Sequence, residues 1–425
     1  MKISVYRYRL IPTRSQRSAL ARWAGCARWV YNAALAERER VYRTTGKGAG
    51  YAALCRALAG WRAEHDWLRA APSQVGQQAA RDLTDAYTRF FKKQNSRPTF
   101  KRKGKSRDSF RIPNQNSGKS KLLRIERSNR RRAQLKLPKI GWVRLHYSRA
   151  IQGEIRNVTI SRDGGQWFVS VLCGELGEHP APPESISDSE TVGLDLGVAQ
   201  SVTTSDGEAL NVPTMSAGDE RHRKRLQRRM SRRQGPRKGK APSKRWLKAR
   251  DALRRFDQRW RWKRRDFIHK ATTRLIRENQ AISIEDLKVK NMTASAKGKG
   301  RAAKAGLNRA ILAQSWGEIR RQLSYKAERA GVRLLVVDPA YTSQKCAVCG
   351  HIERSNRKTQ DTFRCVRCGH AENADINAAK NILAAGLAAS ACGGDVRRPP
   401  LAPRVPVVDA APMKREPIVG QQVAL

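Results

Sequence analysis

The chain has 425 residues and 39% hydrophobic content, enough for two or three domains with real cores and too apolar for a disordered polyelectrolyte. Its 87 Lys+Arg against 36 Asp+Glu leave a formal charge of +51, far beyond what solubility requires, so a large polyanion is the expected partner. No long apolar run or secretory segment accompanies that charge, which argues against a membrane partner and for a soluble, cytoplasmic protein.

Residues 1–12 alternate polar and apolar side chains (Ile3, Val5, Tyr6, Tyr8, Leu10) and stop at Pro12, as a strand does. Thr13 then caps a helical stretch over 13–96. Leu20, Trp23, Ala27, Val30, Tyr31, Ala34 and Leu35 recur there at three- and four-residue steps, and Ser73 is placed to cap the last helix. The loop 44–50 holds Gly and Lys without the spacing of a nucleotide-binding loop.

From 97 to 118 the chain is basic and rich in turns, with Phe100 and Phe110 set among Lys101, Arg102, Lys103, Lys105, Arg107 and Arg111. Aromatics between cations stack on bases while the cations hold phosphates; the alternative is a solvated basic loop. Strand signals then return, with Asp163-Gly164-Gly165 as a hairpin turn. Together, 1–12 and 97–180 predict a β-barrel interrupted by the helices of 13–96.

A second domain is expected over 191–340. Val192-Gly-Leu-Asp195-Leu-Gly197 is an apolar strand carrying one acid, and 201–204 and 209–212 follow as two more short strands. The segment 219–270 carries 23 Lys/Arg against five Asp/Glu and predicts two basic helices around Gly235-Pro236. So much like charge repels itself unless a polyanion lies along it. A buried strand from Ala281 ends at Glu285, a loop spans 291–306, and a helix over 308–330 turns Leu312, Trp316, Ile319, Leu323 and Tyr325 inward. The strand 332–337 follows it.

Cys346-Ala-Val-Cys349-Gly and Cys365-Val-Arg-Cys368-Gly give C-x2-C-x15-C-x2-C over 341–371, the spacing of a closed tetrahedral Zn2+ site that staples a fold and leaves no position open for chemistry. With four thiols in place, His351 and His370 are outer or surface residues. Cys26, Cys55, Cys173 and Cys392 show no framework spacing, as in a reducing compartment. A last helix over 372–385 opens near Asp375, and 386–425 is a tail with six prolines.

The order strand with Asp195, further strands, helices, strand ending at Glu285, helix, strand and Asp375 helix is that of an RNase H-like α/β fold. In that order the three acids can meet. Three carboxylates at one point repel unless cations separate them, and two Mg2+ ions there would serve phosphodiester cleavage. An acid at a strand end is often only a cap or an ion-pair partner, and Gly-x-Asp-x-Gly also occurs in sugar-kinase and actin-type ATPases.

Gly193-Leu-Asp195-Leu-Gly197, Ile284-Glu285-Asp286-Leu287, Thr342-Ser-Gln-Lys-Cys346-Ala-Val-Cys349-Gly and Asp375-Ile-Asn377-Ala-Ala-Lys-Asn381-Ile resemble the split RuvC nuclease of TnpB, the transposon-encoded RNA-guided DNA endonuclease related to type V CRISPR effectors. The resemblance extends to Leu10-Ile-Pro-Thr and Leu137-Pro-Lys-Ile-Gly-Trp142. It implies a wedge barrel and a helical recognition lobe that hold a guide RNA from the transposon end and read a short motif in target double-stranded DNA, acting as a monomeric ribonucleoprotein. It also implies Asp195, Glu285 and Asp375 as catalytic Mg2+ ligands and places Tyr51, Gln77 and Asn114 near the family's target-motif contacts, while Phe110 is a candidate nucleic-acid contact on its basic setting alone. Asn373 departs from the pattern, since many relatives carry an additional Asp there. A small type V effector, a guided binder that represses without cutting and a DDE-type transposase are the alternatives.

Overall fold

The computed structural model describes residues 2–117, 120–175, 177–237, 240–295 and 300–391. The tail expected at 386–425 lies outside the described residues from 392 onward, and 386–391 continue the last helix.

The chain opens with strand β1 (Lys2–Ile11), followed by helices α1 (Arg14–Thr45), α2 (Tyr51–Glu64), α3 (Asp66–Arg69) and α4 (Ser73–Phe91). Thr13 Oγ1 accepts from the Gln16 amide at 3.3 Å and the Gln16 side chain accepts from Thr13 N–H at 3.0 Å, so two orphan donors of α1 satisfy each other's residues. Gly46, at φ 68°, ends that helix in the left-handed conformation. Ser73 does not cap α4. Pro72 occupies the cap position and Ser73 is the first helical residue.

Strands β2 (Ser109–Pro113), β3 (Asn116–Ser117), β4 (Ser120–Lys121), β5 (Arg124–Asn129), β6 (Arg132–Leu137), β7 (Gly141–His146), β8 (Glu154–Asp163) and β9 (Gln166–Glu175) come next. Six of them and β1 form one antiparallel sheet in the order β2-β8-β9-β1-β7-β6-β5, and β3 pairs with β4. Gly164 and Gly165, both at positive φ (53° and 86°), close the two-residue turn between β8 and β9. On β1 it is Tyr6, Tyr8 and Leu10 that are buried, whereas Ile3 and Val5 lie on the open face. The helices share one core with this sheet, in which Trp23 of α1 meets Phe110 of β2 edge to face at 5.6 Å.

Phe110 is therefore not a base-stacking surface. The segment expected to be a basic loop contains β2, whose alternation buries Phe110 and Ile112 together, and the benzyl group, 4% exposed, contributes about 2–3 kcal/mol of apolar burial. Phe100 remains 51% exposed.

The second sheet is built from β10 (Thr191–Asp195), β11 (Thr203–Thr204), β12 (Ala281–Glu285) and β13 (Arg333–Val337) in the order β11-β10-β12-β13. β10, β12 and β13 run parallel, β11 antiparallel. The strand expected at 209–212 is reduced to a single bridge between Thr203 and Ala209. The near-continuous burial of β10 and β12 is what a parallel sheet covered on both faces requires.

The basic helices α5 (Ala217–Ser231) and α6 (Lys244–Glu278) flank it, tied by Arg223 Nε to Asp257 at 2.7 Å. After α7 (Val289–Met292) the expected single helix is two, α8 (Arg301–Gln314) and α9 (Trp316–Ala330), because Ser315 adopts φ 60° between them. The break rotates Leu312 outward to 59% exposure, while Trp316, Ile319 and Leu323 stay in the core. Strands β14 (Thr362–Arg364) and β15 (Ala371–Asn373) pair antiparallel, and α10 (Ala374–Ala391) closes the fold against β10, β12 and β13.

Candidate active site and metal centre

The four thiols sit on two knuckles of the same shape. In each, the glycine amide donates to the first cysteine carbonyl at 3.0 Å (Gly350 to Cys346, Gly369 to Cys365), and both glycines adopt φ 71°, open to glycine at no steric cost. Cys346 Sγ lies 3.7 Å from Cys368 Sγ, and Cys349 Sγ lies 3.6 Å from Cys365 Sγ. A tetrahedral S4 zinc shell with bonds of about 2.3 Å places its sulfurs about 3.8 Å apart, whereas a disulfide needs about 2.05 Å. The cage thus fits Zn2+. His351 and His370 point to Glu353 (3.0 Å) and Glu372 (3.5 Å) and contribute only their backbone carbonyls to the knuckles.

Asp195 ends β10 and Glu285 ends β12, one step beyond the Leu194–Ile284 pairing, so the two acids leave adjacent strands at the same level. Asp375 opens α10, which crosses those strand ends, and a methyl group on Gly197 would lie 3.8 Å from Asp375 Oδ2. Burial, with the charges of Glu285 and Asp375 next in weight, pushes the Asp195 carboxyl up to about 7. Glu285, 6% exposed, is also raised by burial, against the pull of a 2.7 Å hydrogen bond from the Thr342 hydroxyl. Arg357 Nη2 lies 3.0 Å from Asp375 Oδ1.

The neighbouring acid Asp286 is different. Lys288 and Arg320 both pair with it and hold its carboxyl below the usual range. It is an ion-pair partner, and Glu285 is the acid that faces the other two. Among the described residues only the thiols form a ligand set within 4.8 Å of one another.

Both glycines of the Gly-x-Asp-x-Gly stretch are explained by packing. A side chain on Gly193 would overlap the Ala379 carbonyl of α10, and one on Gly197 would press to 2.8 Å from the Gln200 carbonyl. Asn373 is explained as well: its Oδ1 accepts from the amides of Asp375 (3.0 Å) and Ile376 (3.2 Å), capping the helix that presents Asp375. Asn and Asp serve equally there. The N-cap preference was readable in the sequence, as was the Asn-Ala-Asp order that places the cap two residues before the acid.

Of the expected nucleic-acid contacts, Asn114 spends its side-chain amide on the backbone of neighbouring segments, donating to the Ile155 carbonyl (2.9 Å) and accepting from the Leu123 amide (2.8 Å). Tyr51 is half-buried at the start of α2 under the Arg81 guanidinium, 4.4 Å away, and Gln77 is half-buried on α4.

InsQ of Escherichia coli strain K12, provisionally named an RNA-guided DNA endonuclease, is 38% identical over 424 residues, spanning 98% of both chains. The chain belongs to the TnpB family. A Streptomyces pristinaespiralis relative of the same provisional name is 36% identical over 92% of this chain and 91% of its own. Family models match at residues 1–47 (helix-turn-helix domain), 175–296 (OrfB_IS605, described as a probable transposase) and 316–382 (Cas12f1-like, TNB domain). In fold, this TnpB chain matches the Cas12f1 chain of a Cas12f1–sgRNA–target DNA complex with a TM-score of 0.52 at 16% identity, over 86% of this chain and 82% of the other. No helix among the described residues of this TnpB protein is long and apolar enough to cross a membrane.

Proposed function

We propose that the chain is a transposon-encoded, RNA-guided DNA endonuclease in which Asp195, Glu285 and Asp375 hold two Mg2+ ions at the scissile phosphate. One observation carries the reading: half-buried Asp195 stands at the end of β10 beside Glu285 and near Asp375, and burial, with the charges of those two acids next in weight, pushes its carboxyl up to about 7. Such a group of acids is unfavourable in itself and becomes favourable with divalent ions between them. Bound Mg2+ would polarise the phosphate and bring water into reach of deprotonation near neutral pH.

The protein's own part is placement. Glu285 is fixed by Thr342, Asp375 by its helix cap, and Asp195 by its strand. The seven-stranded sheet, in which β2 and β5 are the end strands of the order, would fill the place expected of the wedge barrel, and α1 to α4 that of the recognition lobe. The cations of α5 and α6 would take up the phosphates of a guide–target duplex, so that base pairing supplies the specificity. In this reading the protein acts as a monomeric ribonucleoprotein in a prokaryotic cytoplasm.

Cleavage of a plasmid carrying the guide-complementary sequence, by the chain purified with its RNA, is the test. Wild type cuts in Mg2+, and Asp195→Ala lowers the rate by roughly a thousandfold while target binding persists. Binding without cutting by wild type would instead establish the repressor reading, and strand-joined products the transposase reading.

A further inference from the structure

The zinc ribbon and the acid site are hydrogen-bonded into one unit, and the link ends on a carboxylate oxygen. Thr342, 8% exposed, lies on the chain between β13 and the first knuckle and donates its hydroxyl to Glu285 Oε1 at 2.7 Å. The Pro339 carbonyl, at 3.2 Å, competes for the same proton, and the shorter contact to a charged acceptor is the stronger.

The position of Thr342 is set by two buried asparagines of α10, one turn apart. Asn381 Nδ2 donates to the carbonyls of Thr342 (3.0 Å) and Lys345 (2.6 Å). Asn377 donates to the Lys345 carbonyl at 2.8 Å and accepts from the Ala347 amide, inside the first knuckle, at 2.9 Å. They are 6% and 0% exposed, so a knuckle that lost its shape would leave buried amides without partners.

The second knuckle is joined through Asn356, 1% exposed, which donates to the Gln344 carbonyl and accepts from the Val366 amide, both at 2.9 Å. The next residue is Arg357, whose guanidinium reaches Asp375. Closing the knuckles therefore places one ribbon residue on Glu285 and another on Asp375.

We propose that the zinc ribbon is the positioning frame of the acid site and that Thr342 is its contact, so that the affinity of the acids for divalent ions depends on the Thr342 hydroxyl. The inference rests on the reading of Asp195, Glu285 and Asp375 as a Mg2+ site. Packing alone would not need a hydroxyl at 342, since valine fills the same volume. Loss of an outer hydrogen-bond partner of a metal ligand typically weakens metal binding by about 10–100-fold.

The probe is Mn2+, titrated into the purified ribonucleoprotein and followed by electron paramagnetic resonance, with the Asp195→Asn ribonucleoprotein as the blank for ions held by RNA. Wild type binds Mn2+ in excess of that blank. Thr342→Val, with full zinc content, binds it about tenfold more weakly, and Thr342→Ser returns to within about twofold of wild type. Wild-type Mn2+ affinity in zinc-loaded Thr342→Val overturns the proposal, as does an equal loss in the serine and valine variants, which marks a packing defect. Wild type no better than Asp195→Asn overturns instead the reading of the acids on which the proposal stands.

Discussion

The thiols lie within 22 positions of one another along the chain, whereas the acids come from β10, β12 and α10, with two basic helices and the ribbon between them. The first set is fixed by two local turns that need only the metal to close. The second exists only when a parallel sheet and a crossing helix have formed. A local site announces itself by spacing; a distributed one is stated by topology, and each of its members alone looks like an ordinary strand end.

Removing the local site should have the larger effect. Cys365→Ser leaves three thiols and forfeits much of the roughly 10 kcal/mol or more that structural zinc contributes to a small cage. Zinc content measured on the purified chain should fall to background, and thermal unfolding should gain an early transition. Retention of zinc with an unchanged melting curve would break the comparison, since the cage would then not depend on its four ligands.

Gly193→Ala attacks the distributed site directly and reaches the ribbon only through Asn377 and Asn381 of α10. The added methyl meets the Ala379 carbonyl, a backbone atom that cannot swing aside, so β10 and α10 must part. The expected cost is about 1–3 kcal/mol, the range for overpacking a tight interior, with zinc content unchanged and cleavage lost as Asp375 moves away from Asp195. If zinc were lost as well, the closure of the cage would depend on the seating of α10 and not on its two local turns alone.

The same contrast explains what the sequence disclosed. The cysteine cage, the Thr13 cap, the Gly164-Gly165 turn and the strands bearing Asp195 and Glu285 are each governed by neighbours in the chain, and all could be read from it. Phe110 is the counter-example, because a two-residue alternation inside a basic segment looks like a loop until β8 pairs with it. The break at Ser315 is marked only by Ser315-Trp-Gly317-Glu318, a cap residue with an acid three places on, which the continuous apolar periodicity on either side hides. Thr342, Asn377 and Asn381 were visible only as motif letters; their roles depend on which carbonyls the fold brings beneath them.

The smallest effect expected is also a test of how strained the acid site is. With its carboxyl raised to about 7, Asp195 holds a proton in the folded protein that the unfolded chain has released by about pH 5. Any stability tied to that proton is present at low pH and lost as pH rises from about 4 to about 7. Asp195→Asn, neutral throughout, has no such dependence. In Mg2+-free buffer with zinc retained, the advantage of the variant should therefore be smallest near pH 4, grow as pH rises, and reach about 1–2 kcal/mol more at pH 8 than at pH 4, a figure that allows for residual solvent screening around the carboxylate. Chemical denaturation at the two pH values measures the difference, which cancels the contribution of every other titrating group. Adding Mg2+ at pH 8 should reverse the order, because only the wild type gains a ligand that binds the folded state. An unchanged difference between pH 4 and pH 8 would mean that Asp195 is neither desolvated nor crowded by Glu285 and Asp375, and the distributed site would then lack the property that calls for divalent ions.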